Sequence, residues 1–208
     1  MACREIGAFL MAISTDYVFD GESSRPYREE DRAHPISVYG RSKWEGEQKA
    51  LTNGPDCLAI RVSGLFGAGR ANFVTGAIEN FKTGRPVHVV TDQVNSPSYT
   101  TDLAEGIWRL IQAHEKAPTA LRGLLHLANT GGASRLEVAQ AIAHHLGAPE
   151  SLIVKTTWAA MNRPARRPAR SVLDGNRFAA LTGAPLRSWQ EALGGFLNSG
   201  ILDQKLFP

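Results

Sequence analysis

The sequence has few cysteines, no long apolar run and no concentrated charge of one sign, and each absence excludes a class of protein. Cys3 and Cys57 are the only cysteines among 208 residues, and their spacing suits neither a disulfide scaffold nor a metal site. They fit a reducing, cytoplasmic setting. No run approaches the ~18–20 apolar residues of a membrane span. The net charge of +3 comes from Lys and Arg interspersed with Asp and Glu, so neither a membrane nor nucleic acid is an expected partner.

A further absence concerns the start of the chain. A dinucleotide-binding fold opens with a strand, a G-x-G-x-x-G turn and a helix, and none of these precedes Thr15. The glycines of segment 64–69 are spaced G-x-x-G-x-G, so this segment does not replace that turn. We therefore expect the chain to lack a cofactor-binding first half of roughly 80–100 residues, at ~30 residues per βαβ unit. Alone, it should bind a dinucleotide very weakly.

The pattern that is present alternates strands with helices, which predicts an α/β protein. An apolar run at Phe9–Ile13 ends in polar side chains, as a buried parallel strand does where it opens into a site. Segment 92–97 has no helical or strand periodicity and is predicted to be a loop. Further strands are predicted at Cys57–Val62, Val87–Val90 and Leu124–Ala128, and helices after Pro35, from Asn72, from Asp102, from Ser134 to Leu146 and from Ser188.

Tyr39 and Lys43 are four residues apart in a predicted helix, so both lie on the same face. An ammonium beside a phenol favours phenolate and lowers a pKa that is ordinarily about 10, which suits proton transfer. The Thr15 hydroxyl, at the end of the first strand, could hold the oxygen that receives the proton. Taken singly, each of these residues also has an ordinary structural explanation.

Residues 14–21, Ser-Thr-Asp-Tyr-Val-Phe-Asp-Gly, joined to Tyr39-x-x-x-Lys43, resemble the catalytic core of the extended short-chain dehydrogenases/reductases. Within that superfamily, segments 26–31, 92–97 and 163–168 most resemble the dTDP-4-dehydrorhamnose reductase family. The resemblance implies the C-terminal part of a Rossmann-like, doubly wound parallel sheet plus a small α/β substrate-binding lobe. Residues 1–70 would complete the NAD(P)-binding domain, and 71–208 would mainly form the lobe, with elements returning to the sheet.

The same resemblance implies a role for individual residues. Tyr39 would protonate a carbonyl oxygen, Thr15 would hydrogen-bond it, and Lys43 would lower the pKa of Tyr39 and hold the nicotinamide ribose. That family often has Trp where this chain has Gly64. The implied cofactor-binding residues are Ser14, Tyr39, Lys43, Ser63 and Gly64, and the implied substrate-binding residues are Asp16, Tyr17, Asn72, Gln93, Ser96, Arg163 and Arg167.

The arginines of segment 163–170 have forked guanidinium groups that suit a pyrophosphate, although a solvated loop would explain them equally well. Arg61 lies on a predicted strand and points toward the C-terminal edge of the sheet, where the site is expected. A salt bridge would explain this arginine equally well. The histidines do not gather into a metal site, so no metal is indicated, and Mg²⁺ would at most be loosely held. The expected small-molecule partner is a nucleotide diphosphate sugar. A homodimer, or pairing with another chain through the exposed first strand, is the expected protein contact.

The activity implied by the resemblance is NADPH-dependent reduction of the 4-keto group of dTDP-4-dehydrorhamnose to dTDP-rhamnose, with NADH as the alternative cofactor. Another epimerase or dehydratase acting on a nucleotide sugar is one alternative, although Asp16 lacks the Glu that usually follows in a dehydratase. A non-catalytic binding subunit, similar to the beta subunit of methionine adenosyltransferase, is the other.

Overall fold

The computed structural model describes residues 2–53, 56–117 and 121–200. The helices are α1 (Ala2–Glu5), α2 (Val38–Asn53), α3 (Phe73–Lys82), α4 (Thr100–Lys116), α5 (Arg135–Leu146), α6 (Asn176–Thr182) and α7 (Trp189–Leu197). The strands are β1 (Leu10–Thr15), β2 (Cys57–Val62), β3 (Leu65–Phe66), β4 (Val87–Val90), β5 (Val94–Asn95), β6 (Ser98–Tyr99), β7 (Gly123–His126), β8 (Ala133–Ser134), β9 (Ile153–Thr156) and β10 (Arg170–Ser171).

The central sheet is parallel and has the order β1-β2-β7. Leu10 lies opposite Cys57 and Thr15 lies opposite Val62, so β1 and β2 end level with each other. Every residue of β2 is buried, as expected of a strand with neighbours on both sides. Ligand sites of open parallel sheets lie outside the carboxyl ends of the strands, and the polar residues that follow β1 and β2 occupy that position.

Smaller sheets surround this edge. β5 pairs in parallel with β10 and antiparallel with β8, while β3 pairs with β6 and β4 with β9, both in parallel. The prediction that 92–97 is only a loop was wrong, because Val94 and Asn95 form β5 and receive β10 from far along the chain. A two-residue strand has no periodicity of its own. The pairing that creates it is therefore invisible in the local sequence.

Apolar side chains form two main clusters. One packs α3, α5 and α7 together, with Ile78, Ile142 and Phe196 fully buried. The other packs β2 and β7 against α4 and α6, with Leu125 and Phe178 at its centre. Each fully buried side chain of this size stabilises the fold by roughly 1.5–3 kcal/mol.

The helix starts follow from the sequence. Both predicted capping boxes are confirmed: Ser134 accepts from the Glu137 N–H at the start of α5, and Ser188 accepts from the Glu191 N–H at the start of α7. The fourth helix begins at Thr100 rather than Asp102, which lies in its first turn. Among the described residues, no helix is long and apolar enough to cross a membrane. Over the same residues β1 pairs only with β2, and Ile13 on β1 is 45% exposed.

Candidate active site

A cavity of about 460 Å³ lies at the carboxyl ends of β1 and β2. Its walls are the end of β1, the first turn of α2, the segment after β2 and the first turns of α3 and α5. The candidate residues among its lining are Ser14, Thr15, Asp16, Tyr17, Tyr39, Lys43, Ser63, Gly64 and Asn72. The structure thus brings together most of the residues that the sequence analysis singled out.

A close contact between α2 and the turn after β1 positions Tyr39 and Lys43. A Cβ atom at Gly40 would lie 2.1 Å from the Tyr17 carbonyl oxygen, so only glycine allows the helix to approach this near. The Tyr39 ring contacts the Tyr17 ring edge-on, with 5.8 Å between centroids, and remains 54% exposed. Lys43 Nζ donates to the Ile13 carbonyl oxygen at 2.7 Å, which holds the ammonium beside the cavity.

Asp16 is a buried carboxylate that accepts hydrogen bonds from three neutral hydroxyl groups. Thr15 Oγ1 donates to its Oδ1 at 3.1 Å, and Ser63 Oγ donates to its Oδ2 at 2.9 Å. Ser171, from β10, also donates to Oδ2. Burial raises the pKa of Asp16 from 3.8 to about 6, although the three hydroxyl donors act in the opposite direction.

All five predicted cofactor-binding residues line the cavity. Ser14 Oγ is buried without a hydrogen-bond partner among the described residues, so it is available to a ligand. Gly64 has a φ of +57°, and a Cβ atom there would lie 2.7 Å from the Ser96 carbonyl oxygen. This close approach and the positive φ both require glycine.

Two of the predicted substrate-binding residues have structural partners. The Asn72 side chain caps α3 by accepting from the Val74 and Thr75 N–H groups, although it still lines the cavity. Ser96 is fully buried, and its hydroxyl accepts from the Leu173 N–H at 3.1 Å. Neither Ser96 nor Gln93 is part of the cavity wall.

The two predicted phosphate-binding arginines are placed differently. Arg167 is half-buried, with its guanidinium 4.5 Å from the Trp158 ring and 5.9 Å from the Tyr17 ring. It lines an adjoining cavity of about 570 Å³ that shares Tyr17 and Tyr39 with the first. Arg163 is exposed and lines neither cavity.

Sequence reasoning missed two residues at this site. Ser171 reaches Asp16 from 155 positions along the chain, and nothing in the local sequence signals that contact. Arg135 is the first residue of α5 and lines the cavity, but within the capping box it looked like part of a helix start. Arg135 directly follows the N-cap Ser134, and this position at the start of a helix was the available signal that it faces the site.

Arg61 is not part of the site. Its Nε and Nη2 donate to the Glu47 carboxylate at 2.9 and 2.8 Å, and both side chains are almost fully buried. The salt bridge, which the sequence left as an alternative, therefore accounts for this residue, and it joins β2 to α2. In the described part of the chain, no cluster of three or more His, Cys, Asp or Glu side chains could hold a metal.

A parallel α/β sheet with a Tyr-x-x-x-Lys pair at its carboxyl edge defines the class of the short-chain dehydrogenases/reductases. The model of the RmlD substrate binding domain matches residues 1–201, and the chain belongs to that family. It is 42% identical to the dTDP-4-dehydrorhamnose reductase of Streptomyces griseus over 92% of this chain and 63% of that protein. It is 36% identical to the enzyme of that name from Mycobacterium tuberculosis, over 99% and 69%.

The fold also matches solved structures. The dTDP-4-dehydrorhamnose reductase of Bacillus anthracis, crystallised in complex with NADP, superposes with a TM-score of 0.86 at 34% identity. The match covers 95% of this chain and 68% of that one. The chain therefore spans about two thirds of the length of the relatives it matches.

Proposed function

We propose that this chain carries the substrate-binding and proton-donating part of an NADPH-dependent reductase acting on the 4-keto group of dTDP-4-dehydrorhamnose. The observation that carries the proposal is the meeting of Thr15, Tyr39 and Lys43 at one cavity. The names of the relatives supply the substrate, and the NADP in the B. anthracis complex supplies the cofactor.

The residues of the cavity fit the ribose of a nicotinamide cofactor. Ser14 Oγ has no partner among the described residues, and the Lys43 ammonium retains donors beyond its bond to Ile13. The Tyr39 side chain is exposed and lines the same cavity. When bound, NADPH supplies the hydride, and this chain supplies the proton and the orientation of the ketone.

In the proposed reaction, Tyr39 Oη donates its proton to the ketone oxygen as negative charge develops there. Lys43 favours the resulting phenolate by its positive charge. The Thr15 hydroxyl donates to Asp16 in this structure, so its role requires that its hydrogen turn from Asp16 to the substrate oxygen. A hydrogen bond that strengthens only in the transition state raises turnover rather than affinity.

Neither alternative activity has a feature in its favour. A dehydratase needs a carboxyl group free to act as an acid or base, whereas the Asp16 carboxylate is buried and accepts from three hydroxyls. A purely binding subunit has no need for an exposed tyrosine beside a held lysine.

We also propose a cellular location, a protein contact and a cofactor preference for this chain. The free Cys3 and Cys57 suit the proposed cytoplasmic location. The unpaired edge of β1 within the described residues suits pairing with another chain, including a second copy. NADPH is proposed over NADH on the strength of the B. anthracis complex alone.

The chemistry is testable in a chimera that joins this chain to the part of the B. anthracis enzyme that the match does not cover. NADPH oxidation is followed with dTDP-4-dehydrorhamnose as substrate. Tyr39→Phe should lower kcat by about 10²–10⁴-fold and leave KM nearly unchanged, because the proton is donated only in the transition state. Tyr99→Phe is the matched control, because Tyr99 is buried and does not itself line the cavity. A Tyr39→Phe chimera with turnover within threefold of the parent contradicts the mechanism.

A further inference from the structure

Arg135 presents an unneutralised charge to the cavity. It is half-buried at the start of α5, and its guanidinium lies 4.7 Å from the centroid of the Phe73 ring. The residues that the structure describes include no carboxylate in an ion pair with Arg135. The nearest candidate in sequence, Glu137, is occupied, because its carboxylate accepts from the Ser134 N–H and hydroxyl at 2.7 and 2.8 Å.

A second guanidinium of the same kind belongs to Arg167. It too rests against aromatic rings, those of Trp158 and Tyr17, and has no ion-pair partner among the described carboxylates. Burial lowers the pKa of Arg135, and the positive charge of Arg167 lowers it further. Two like charges are thus held near each other and partly away from water, an arrangement that an anion between them would stabilise.

Ring contacts do not neutralise these charges. A cation–π contact leaves the N–H groups at the edge of the guanidinium plane free to bind oxygen. Forked donors match phosphate oxygens in pairs, and hydrogen bonds between charged groups are about twice as strong as neutral ones. The cavity side of α5 therefore has the chemistry of a site for a phosphate group that carries more than one charge.

We propose that Arg135 is a phosphate ligand of this cavity and, together with Arg167, makes the site select a nucleoside diphosphate over a monophosphate. This inference rests on the proposed nucleotide-sugar function and adds to it a residue that the sequence did not single out. Tyr17 contacts both Arg167 and Tyr39, so it joins the phosphate side of the site to the reacting side.

The test is calorimetric titration of the 208-residue chain with dTDP, dTMP, thymidine and inorganic pyrophosphate. Arg135→Gln should weaken the binding of dTDP and of pyrophosphate at least tenfold and the binding of dTMP by a smaller factor. The affinity for thymidine should not change. Arg135→Lys, which keeps the charge but loses the fork, should fall between parent and Arg135→Gln. Arg109→Gln is the matched control, because Arg109 lies 4.8 Å from the Phe178 ring on a helix away from this cavity.

Unchanged dTDP and pyrophosphate affinities in Arg135→Gln would overturn the inference, even if the chimera reduces its ketone substrate. An equal loss for thymidine and dTDP would also overturn it, because that pattern means a packing role. If the parent chain binds pyrophosphate through Arg135 but binds dTDP no more tightly than pyrophosphate, the anion site is supported. That result would show that the thymidine part adds no affinity, and it would count against the proposed substrate. A parent that binds neither contradicts both, and circular dichroism of each variant checks that it is folded.

Discussion

Arg61 and Arg135 are both withdrawn from water, but their charges are balanced in different ways. Arg61 is 1% exposed and paired through two hydrogen bonds with Glu47, beneath the Phe19 ring. Among the described residues, Arg135 contacts the Phe73 ring, has no ion-pair partner and lines the cavity. The paired charge joins β2 to α2, the helix that carries Tyr39 and Lys43. Burial alone therefore does not distinguish the two arginines, whereas the presence or absence of an opposite charge does.

The largest expected effect is on the paired charge. Glu47→Leu leaves the Arg61 guanidinium buried without a partner, and breaking such a pair costs about 3–5 kcal/mol of the free energy of unfolding. Arg135→Leu removes one ring contact and should cost no more than about 1 kcal/mol. Urea unfolding of both variants measures the difference. Equal costs would remove the distinction between the two arginines.

Two of the buried carboxylates differ in the same way as the two arginines: Glu47 has a cationic partner, whereas Asp16 has none among the described residues. Because the pKa of Asp16 is raised in the fold, its protonated form stabilises the protein at low pH, and that contribution is lost as the pH rises from about 4 through about 6. A shift from 3.8 to about 6 corresponds to about 3 kcal/mol. The Asp16→Asn variant has no carboxyl group to titrate at this position. Its free energy of unfolding should therefore rise by about that amount relative to the parent between pH 4 and pH 7.

The measurement is the free energy of unfolding of parent and Asp16→Asn at each pH, taken as a difference. The difference is needed because His126 acts in the opposite direction. Burial lowers its pKa to about 3, so its contribution is lost as the pH falls from 6.5 toward 3. A constant difference between parent and variant across this range would mean that Asp16 stays ionised in the fold.

The smallest effect is expected at Arg163. The sequence predicted a substrate-binding role for both Arg163 and Arg167. In the structure Arg163 is exposed, whereas Arg167 packs against two aromatic rings beside the cavity. An exposed charge contributes about 0–1 kcal/mol and is screened by salt. Arg163→Gln should therefore weaken dTDP by no more than about fivefold, and less at high salt, whereas Arg167→Gln should weaken it by more at both salt concentrations. If calorimetry shows a larger loss of dTDP affinity for Arg163→Gln than for Arg167→Gln, Arg163 rather than Arg167 is the phosphate-binding residue.

The sequence predicted the parts of the molecule whose signals are local. The Ser134 and Ser188 capping boxes, the strand at Cys57–Val62 and the Tyr39–Lys43 spacing depend on residues within one or two turns, and each lies where expected. The α/β fold class followed from the alternation of such elements and is confirmed by the solved relatives.

Contacts between distant segments could not be predicted. The β5–β10 pairing and the Ser171–Asp16 hydrogen bond are made only when the chain folds back on itself. For the same reason Ser96, which looked like a substrate-binding residue in a polar loop, is buried with its hydroxyl on Leu173. Arg135 was missed because a capping box explains the residues around it and does not show which way a side chain at its first position points.

We propose that this cavity holds a nucleotide sugar with its reacting carbon at Tyr39 and its diphosphate at Arg135. Isotope-edited NMR on the 208-residue chain with ¹³C-labelled dTDP-rhamnose, the proposed product, tests this arrangement. We expect nuclear Overhauser contacts between the hexose H4 and the Tyr39 ring protons, and Tyr39→Phe identifies that ring among the four tyrosines. Contacts confined instead to the separate cavity lined by Arg28, Glu29 and Asp174, with the Tyr39 ring unaffected, would contradict it.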